Sequence, residues 1–525
     1  MKYDNGIITI LTLAGALALS GCSESSDSGA PLSATTPGSV GVTQAGAQDF
    51  GLFRQILEDG GIPGPDTLDD LGFFAEHKLD YPEATCGQDI CMHGLLGVMG
   101  NMISGSTCTL VQIGLNSPLD PETIVRPPLH LVIAVDVSGS MVGEPIESLR
   151  EGLVQMIPHL EPTDRVSLVT YSDEAQVVFE AVPADQTQTL ADAFTGLALG
   201  GSTNLYDGLF TAFQIADAHQ DPAWQNRVVF LSDGMATSGL LNPAKLTSLA
   251  EGYARQGIGL TTIGVGKDFN VDAMRDLGEV GAGNFYFLED PRSVREVFTD
   301  EVKTFLVPLA LDARIDVEVG SGYSIRRAYG TNGWEGGAAG GVVAIPSLFF
   351  AGRTSSEDPI DEGRRGGGGA ILLELVANQD QSGIQDPLEV GGLALSWTHP
   401  VTGVVHEEQA LIQAPHAPDA PPAQGYFTDD TVEKGFVMLN LFAGFQLATQ
   451  LAADSDPRMA RRTLEAMRPN VAGWLAQNPD PDITDDLRYV DLFIQNLLVA
   501  EASTEFQQPS DPPEVVNPPD PWPYD

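Results

Sequence analysis

The chain has 525 residues, enough for two to four domains at about 150 residues each. Its 26 basic residues, six of them lysine, stand against 72 acidic ones, a formal charge of −46. Such a surface repels nucleic acid and anionic membranes, which argues against direct binding to either, and it attracts divalent cations and basic partner patches.

The first segment has a targeting pattern. Lys2 precedes an apolar run at 7–19 that is too short to span a bilayer. Leu19-Ser20-Gly21-Cys22 resembles a bacterial lipobox. The resemblance implies a signal peptide over 1–21, cleavage before Cys22, and a lipid on Cys22. Ser23, in place of an aspartate, directs such proteins to an outer membrane. No other run approaches 18 apolar residues, so the mature chain is expected to touch the membrane through its lipid anchor only.

Residues 22–47, rich in Ser, Gly, Thr and Ala, are expected to be a flexible tether. Residues 48–128 are expected to form a lead-in subdomain packed on the next domain, with a short amphipathic patch at 53–57, a turn at 60–65, a helix near 68–74 and a strand at 108–115. Cys86, Cys91 and Cys108 lie here. An exported chain favours disulfides, but three cysteines cannot all pair internally, and the spacing does not choose among the pairings. Metal ligation by the three, with His93, is the weaker reading.

Residues 129–306 alternate strand and helix patterns. Strands are expected at 129–135, 165–171, 175–181, 226–231, 258–264 and 284–287. Helices are expected at 144–160, 186–197, 205–218, 243–256, 271–280 and 293–305. This alternation predicts an α/β fold, a mostly parallel sheet flanked by helices. Residues 307–412 change to β-like runs at 315–319, 341–345, 370–376 and 393–398 with Gly-rich loops, which predicts a β-sandwich-like domain. Within it, 355–369 reads as a disordered loop whose Arg364-Arg365 pair is solvated. Residues 413–425 are a Pro/Ala linker. Residues 426–506 are a helical domain with helices at 431–452, 458–467, 471–477 and 483–502, and Phe436, Leu439, Phe442 and Phe445 on one core stripe. Residues 507–525 read as a disordered tail.

The chemistry concentrates at three places. The run Leu131-Val-Ile-Ala-Val-Asp136 ends a buried parallel strand, and Ser138 and Ser140 follow on a turn. The carboxyl ends of such strands are where open α/β sheets place ligands. Gly200-Gly201-Ser202-Thr203-Asn204 is a tight loop before a helix and offers Thr203. The strand at 226–231 ends in Ser232-Asp233-Gly234 and offers Asp233. Compact oxygen ligands of this kind suit Mg²⁺, and Mn²⁺ or Ca²⁺ are not excluded by them.

Asp136-x-Ser138-x-Ser140, then Thr203, then Asp233 resembles the metal-ion-dependent adhesion site (MIDAS) of the von Willebrand factor type A (VWA) domain. Asp164-Arg165-Val166-Ser167-Leu168-Val169-Thr170-Tyr171 resembles the second core strand of bacterial VWA proteins. Residues 48–128, with Arg126-Pro127-Pro128, resemble the lead-in of exported bacterial VWA proteins that carry the name calcium-activated chloride channel homologue. The helical C-terminus resembles their downstream domain. The resemblance implies a Rossmann-like VWA fold over 129–306. It implies direct ligation by Ser138, Ser140 and Thr203, and Asp136 and Asp233 binding directly or through water. It also implies a protein partner that supplies an acidic residue to the cation.

Enzymatic readings fare poorly. His406-Glu407-Glu408-Gln409-Ala410 lacks the second histidine of a zinc-protease helix, and no Gly-x-Ser-x-Gly elbow is present. Gly264-Val265-Gly266-Lys267 lacks the spacing of a phosphate loop. The expected protein is therefore a lipid-anchored envelope adhesion protein, not an enzyme. The alternatives are a scaffolding lipoprotein in which the metal stabilises the fold and, more weakly, a metal-dependent hydrolase.

Overall fold

The computed structural model describes residues 39–47, 50–121, 126–221, 224–232, 238–239, 242–265, 271–288, 293, 296–300, 308–353, 364–378 and 388–503. The expected signal peptide, Cys22, the disordered tail and Asp233 lie outside the described residues.

Residues 22–47 are not all tether. Val40–Gln44 forms β1 and Gly46–Ala47 forms β2, and most of these residues are buried. Small residues can enter a sheet as readily as a tether: β1 runs between two strands inside one sheet, and β2 forms the edge of another. β1 pairs antiparallel with two other strands, and Gly46, at φ +123, turns the chain into β2. After them come helices α1 (Gly51–Glu58) and α2 (Asp70–Glu76), and strands β3 (Cys91–Gly100) and β4 (Thr107–Ser117). A disulfide joins Cys86 to Cys91, and Cys108 is a buried thiol, so the three-cysteine metal site does not form.

The α/β region follows the sequence pattern closely. It contains β5 (Leu129–Asp136), α3 (Glu144–Met156), β6 (Arg165–Tyr171), β7 (Ala175–Pro183), α4 (Thr187–Thr195), α5 (Leu205–Ala218), β8 (Gln225–Ser232), α6 (Pro243–Ala254), β9 (Ile258–Val265), α7 (Val271–Val280) and β10 (Asn284–Leu288). The sheet order is β2-β10-β9-β8-β5-β6-β7, parallel throughout except for β7. Every residue of central β5 is buried, as a strand covered on both faces requires. Leu131, Ile133 and Val135 enter the core on one face, and Val132 and Ala134 the core on the other. Pro145 lies in the first turn of α3, where its missing N–H costs nothing. Of the expected helix at 293–305, Ser293 and a π-helical turn at Glu296–Asp300 are described.

The expected boundary between a lead-in subdomain and a separate β-domain is not what forms. β3 and β4 join β11 (Ala310–Val319), β12 (Tyr323–Tyr329), β13 (Trp334–Gly337), β14 (Gly340–Phe350), β15 (Ile371–Ala377), β16 (Glu389–Thr398), β17 (Val405–Gln413) and β18 (Tyr426–Phe427) in an 11-stranded sheet that β1 completes. β4 pairs with β15 and β1 pairs with β14, so backbone hydrogen bonds cross the expected domain limits. A strand edge needs a partner wherever the chain supplies it, and composition does not reveal that partner.

The C-terminal helices are α8 (Asp430–Ala453), α9 (Pro457–Leu475) and α10 (Pro481–Ser503). α9 replaces two expected helices and runs through Pro469, which the sequence pattern reads as a break. α8 is 24 residues long with a mean hydropathy of 1.4 in its most apolar window, long and apolar enough by composition to cross a membrane. This corrects the expectation that no later run has such a composition. Two-thirds of that window is buried inside the protein. Phe436, Leu439, Phe442 and Phe445 pack there in one core with Phe50, Phe53, Phe73 and Phe74 of the N-terminal segment.

Arg364 and Arg365 are buried, not solvated. Arg364 pairs with Asp485 at 3.1 Å and Asp486 at 2.8 Å, and Arg365 Nη2 donates to the Phe287 carbonyl at 2.9 Å. The acidic partners lie more than 100 residues away in sequence, beyond any local pattern.

Three other carboxyls sit uneasily in their surroundings. Burial, with Asp69 alongside, raises Asp70 to about 6. Burial also raises Glu279 to about 7, and Glu374 to about 7 despite Arg326. A carboxyl whose pKa is raised on folding adds stability that is present below its unfolded value, about 4, and lost as pH rises through the folded value. The melting temperature should therefore fall between pH 5 and pH 8, and Asp70→Asn with Glu279→Gln should flatten that slope. An unchanged slope in the double variant contradicts the assignment.

Candidate metal site

The site is built at the carboxyl ends of β5, β6 and β8. Asp136, the last residue of β5, is fully buried. Its Oδ1 accepts the Ser138 N–H at 2.9 Å, and its Oδ2 accepts the Ser232 hydroxyl at 2.9 Å. Both oxygens are thus held before any ligand arrives.

Ser138 starts a single 3₁₀ turn, Gly139–Met141, but its side chain does not cap that turn. Its Oγ instead lies 3.0 Å from Ser140 Oγ. Ser138 is buried and Ser140 is exposed, so the hydroxyl pair opens to solvent at Ser140. The 200–204 loop is hydrogen-bonded to this turn. Gly200 N donates to Val137 O at 2.8 Å, and Gly139 N donates to Gly201 O at 3.2 Å. Gly201, at φ +93, adopts a backbone that glycine favours, and a Cβ there would lie 2.8 Å from Asp173 Oδ2. Thr203 is buried beside the turn, and Asn204 caps α5 by accepting the Asp207 N–H.

Sequence reasoning identified Asp136, Ser138, Ser140 and Thr203, and the structure brings Asp136, both serines and the Thr203 loop together. Asp233 directly follows Ser232 but lies outside the described residues. Two residues were missed. Ser232 fixes one Asp136 oxygen, and its signal was its place at the end of a strand that runs beside β5. Asp173 holds the Thr203 loop: its Oδ1 accepts the Ser202 N–H at 2.9 Å and the Ser202 hydroxyl at 2.5 Å. These two bonds keep its carboxyl below the usual range.

The donor set fits a small hard cation. Two cis ligands at about 2.1 Å in an octahedron lie about 3.0 Å apart, the separation of the two serine oxygens.

Residues 130–300 match the family model of the von Willebrand factor type A domain. This segment is a VWA domain. The order and parallel pairing of β5, β6, β8, β9 and β10, with helices between them, give it the Rossmann-like VWA architecture. Among curated proteins, the chain is 26% identical over 201 residues to the uncharacterized protein YfbK of Escherichia coli K12, covering 38% of this chain and 35% of YfbK. It is 27% identical over 174 residues to the uncharacterized protein sll0103 of Synechocystis, covering 33% of this chain and 40% of sll0103. It is 30% identical over 156 residues to human inter-alpha-trypsin inhibitor heavy chain H4, covering 28% of this chain and 17% of that protein. The matched region thus spans well under half the length of these relatives. Among solved structures, a von Willebrand factor type A protein from Catenulispora acidiphila aligns at 16% identity with a TM-score of 0.44, over 78% of this chain and 88% of that one. Proximal thread matrix protein 1 of the mussel byssus, solved with a zinc-occupied MIDAS, aligns at 19% identity with a TM-score of 0.30, over 34% of this chain and 45% of that one.

Proposed function

We propose that the VWA domain binds one divalent cation, Mg²⁺ foremost with Mn²⁺ or Ca²⁺ as alternatives, and through it an acidic residue of a protein partner. Ser138, Ser140 and Thr203 would ligate it through their hydroxyls, with Asp136 and Asp233 binding directly or through water. The observation that carries this reading is the Ser138–Ser140 oxygen pair above a buried Asp136 whose two oxygens already accept hydrogen bonds. Neutral hydroxyls leave a cation electrophilic, and Mg²⁺ keeps waters that an incoming carboxylate can displace.

The reading is of binding, not turnover. Among the described residues one His–Ser hydrogen bond is present, His130 Nε2 to Ser167 Oγ at 2.9 Å, but both residues are buried near the amino ends of β5 and β6, the ends opposite Asp136. Burial lowers His130 to about 4, where it is a poor base at neutral pH. We also propose that Cys22 carries a lipid and holds the protein in a bacterial envelope, at the outer membrane. The support is the Leu19-Ser20-Gly21-Cys22 motif.

The test is calorimetric titration of Mg²⁺, Mn²⁺ and Ca²⁺ into the Cys22→Ser chain in about 0.15 M salt, where the Debye length of about 8 Å suppresses loose binding to the acidic surface. One saturable site, and partner capture from an envelope extract that EDTA reverses, is the expected result. Diffuse binding alone overturns the metal reading. A saturable site that raises the melting temperature without any EDTA-sensitive capture moves the metal to a structural role.

A further inference from the structure

The Cys86–Cys91 disulfide lies away from the VWA site, at the mouth between β3 and β17. One ligand atom from each of Cys86, Cys91 and Glu408 lies within 4.8 Å of the other two, so a carboxylate stands beside the disulfide. Cys86 is exposed and Cys91 is buried, so a reductant can reach one sulfur while the other stays within the fold.

Three features keep these groups together independently of the S–S bond. Glu408 Oε2 accepts the Met92 N–H at 2.9 Å, which ties β17 to the start of β3. His406 Nδ1 bonds Gln88 Oε1 at 3.0 Å, which ties the middle of the Cys loop to β17. Ile90, fully buried in the sheet core, anchors the loop between the two cysteines. The disulfide spans a sequence separation of 5, so opening it frees little chain entropy.

Each sulfur has a backbone donor, and Cys86 Sγ also lies 3.5 Å from the Ile90 carbonyl and 3.9 Å from the Gln88 carbonyl, to which a thiol can donate. The Cys86 N–H donates to Cys91 Sγ at 3.2 Å, and the Gln88 N–H donates to Cys86 Sγ at 3.4 Å. Backbone donors on both sulfurs favour the thiolate, the form that leaves in thiol–disulfide exchange and the form that binds metal.

We propose that Cys86, Cys91 and Glu408 form a redox-gated site for a thiophilic divalent cation, Zn²⁺ by ligand chemistry, closed when the disulfide is formed and opened by a dithiol reductant. In the first step the reductant's two thiols supply two electrons and two protons. The Cys86–Cys91 bond breaks to two thiols, and the reductant becomes a cyclic disulfide. In the second step Zn²⁺ binds the two sulfurs and releases their two protons to solvent. Two thiolates and a carboxylate give three protein ligands, with water in the fourth tetrahedral position. Bonds of about 2.0–2.3 Å place tetrahedral ligands less than about 4 Å apart, so the sulfurs move apart and all three ligands adjust to that spacing.

Co²⁺ is the probe, because a thiolate-to-cobalt charge-transfer band in the near ultraviolet reports sulfur ligation and an all-oxygen site gives none. The Cys22→Ser chain is titrated with Co²⁺ before and after reduction with a phosphine, then with competing Zn²⁺. Far-ultraviolet circular dichroism is followed throughout. The expected result is a saturable band after reduction alone, bleached by Zn²⁺, lost in Cys86→Ser and in Cys91→Ser, and kept in Cys108→Ser. In Glu408→Gln the Co²⁺ affinity should fall by at least the roughly 10–100-fold that loss of an outer-shell partner costs. No band, a band that survives Cys86→Ser, or full affinity in Glu408→Gln overturns the proposal. Loss of the native circular dichroism on reduction also overturns it, since the site requires the fold to outlast the disulfide.

Discussion

Arg364→Ala is expected to destabilise the protein by about 3–5 kcal/mol, the cost of removing one partner from a buried ion pair. Arg364 is buried beside Glu76, Asp485 and Asp486, at 3.6, 3.1 and 2.8 Å. These acids are shared with other buried cations: Glu76 with Arg54, and Asp486 with His77 at 2.7 Å. Asp482, next along α10, takes Arg353 at 2.8 Å and Lys434 at 3.1 Å. The network thus joins α2, α8 and α10 through Arg353 and Arg364. Without Arg364 the surrounding carboxylates keep their desolvation cost and lose their central cation.

The pH dependence has a definite sign. Burial alone would raise the Glu76 and Asp486 carboxyls, but Arg54 and Arg364 hold Glu76, and Arg364 and His77 hold Asp486, below the usual range. A lowered carboxyl contributes stability above its unfolded value of about 4 and loses it as pH falls through the folded value. The network should therefore contribute most near neutral pH, and Arg364→Ala, which leaves burial to raise these carboxyls, should cost more at pH 7 than at pH 4, where the unpaired carboxyls can take up protons. Urea midpoints at pH 7 and pH 4 measure both effects. The control is Arg314→Ala, which breaks a solvent-screened pair with Asp316 and should leave the urea midpoint close to that of the wild type. If the two variants unfold alike, the buried network is not what joins these segments.

The second large effect is at Asp136, where stability and cation binding can be separated. Asp136→Ala removes the buried acceptor of the Ser138 N–H and of the Ser232 hydroxyl, at about 1–3 kcal/mol for loss of a buried hydrogen-bond partner. It also removes the carboxylate beneath the hydroxyl pair, so saturable Mg²⁺ binding should vanish. Asp136→Asn keeps an acceptor oxygen and the side-chain shape but loses the charge. It should melt within about 1–2 kcal/mol of wild type, keeping one charge-free hydrogen bond of the pair, and still fail to bind Mg²⁺ in calorimetry. A variant that binds Mg²⁺ normally with asparagine at 136 sinks the assignment of this carboxylate to the cation site.

The sequence determined by itself the parts whose causes are local. A run buried on both faces reads as a central parallel strand, and the helix at 205–218 and the strand at 165–171 form where their periodicity puts them. Asp136, Ser138, Ser140 and Thr203 were legible because each sits at a strand end or in a glycine-framed loop, where chain order alone fixes the side of the sheet. Tertiary structure decided the rest. β1 and β4 find partners more than 200 residues away in β14 and β15, and a strand edge carries no signature of which distant strand will satisfy its N–H and C=O groups. Arg364 read as a solvated loop charge because its counterions lie on α10, and burial of a charge becomes visible only with the partners that compensate it. The Cys86–Cys91 pairing and the approach of Glu408 were undetermined for the same reason. The spacing of three cysteines permits several loops, and the crossing of β17 over the start of β3 is what brings the carboxylate to them.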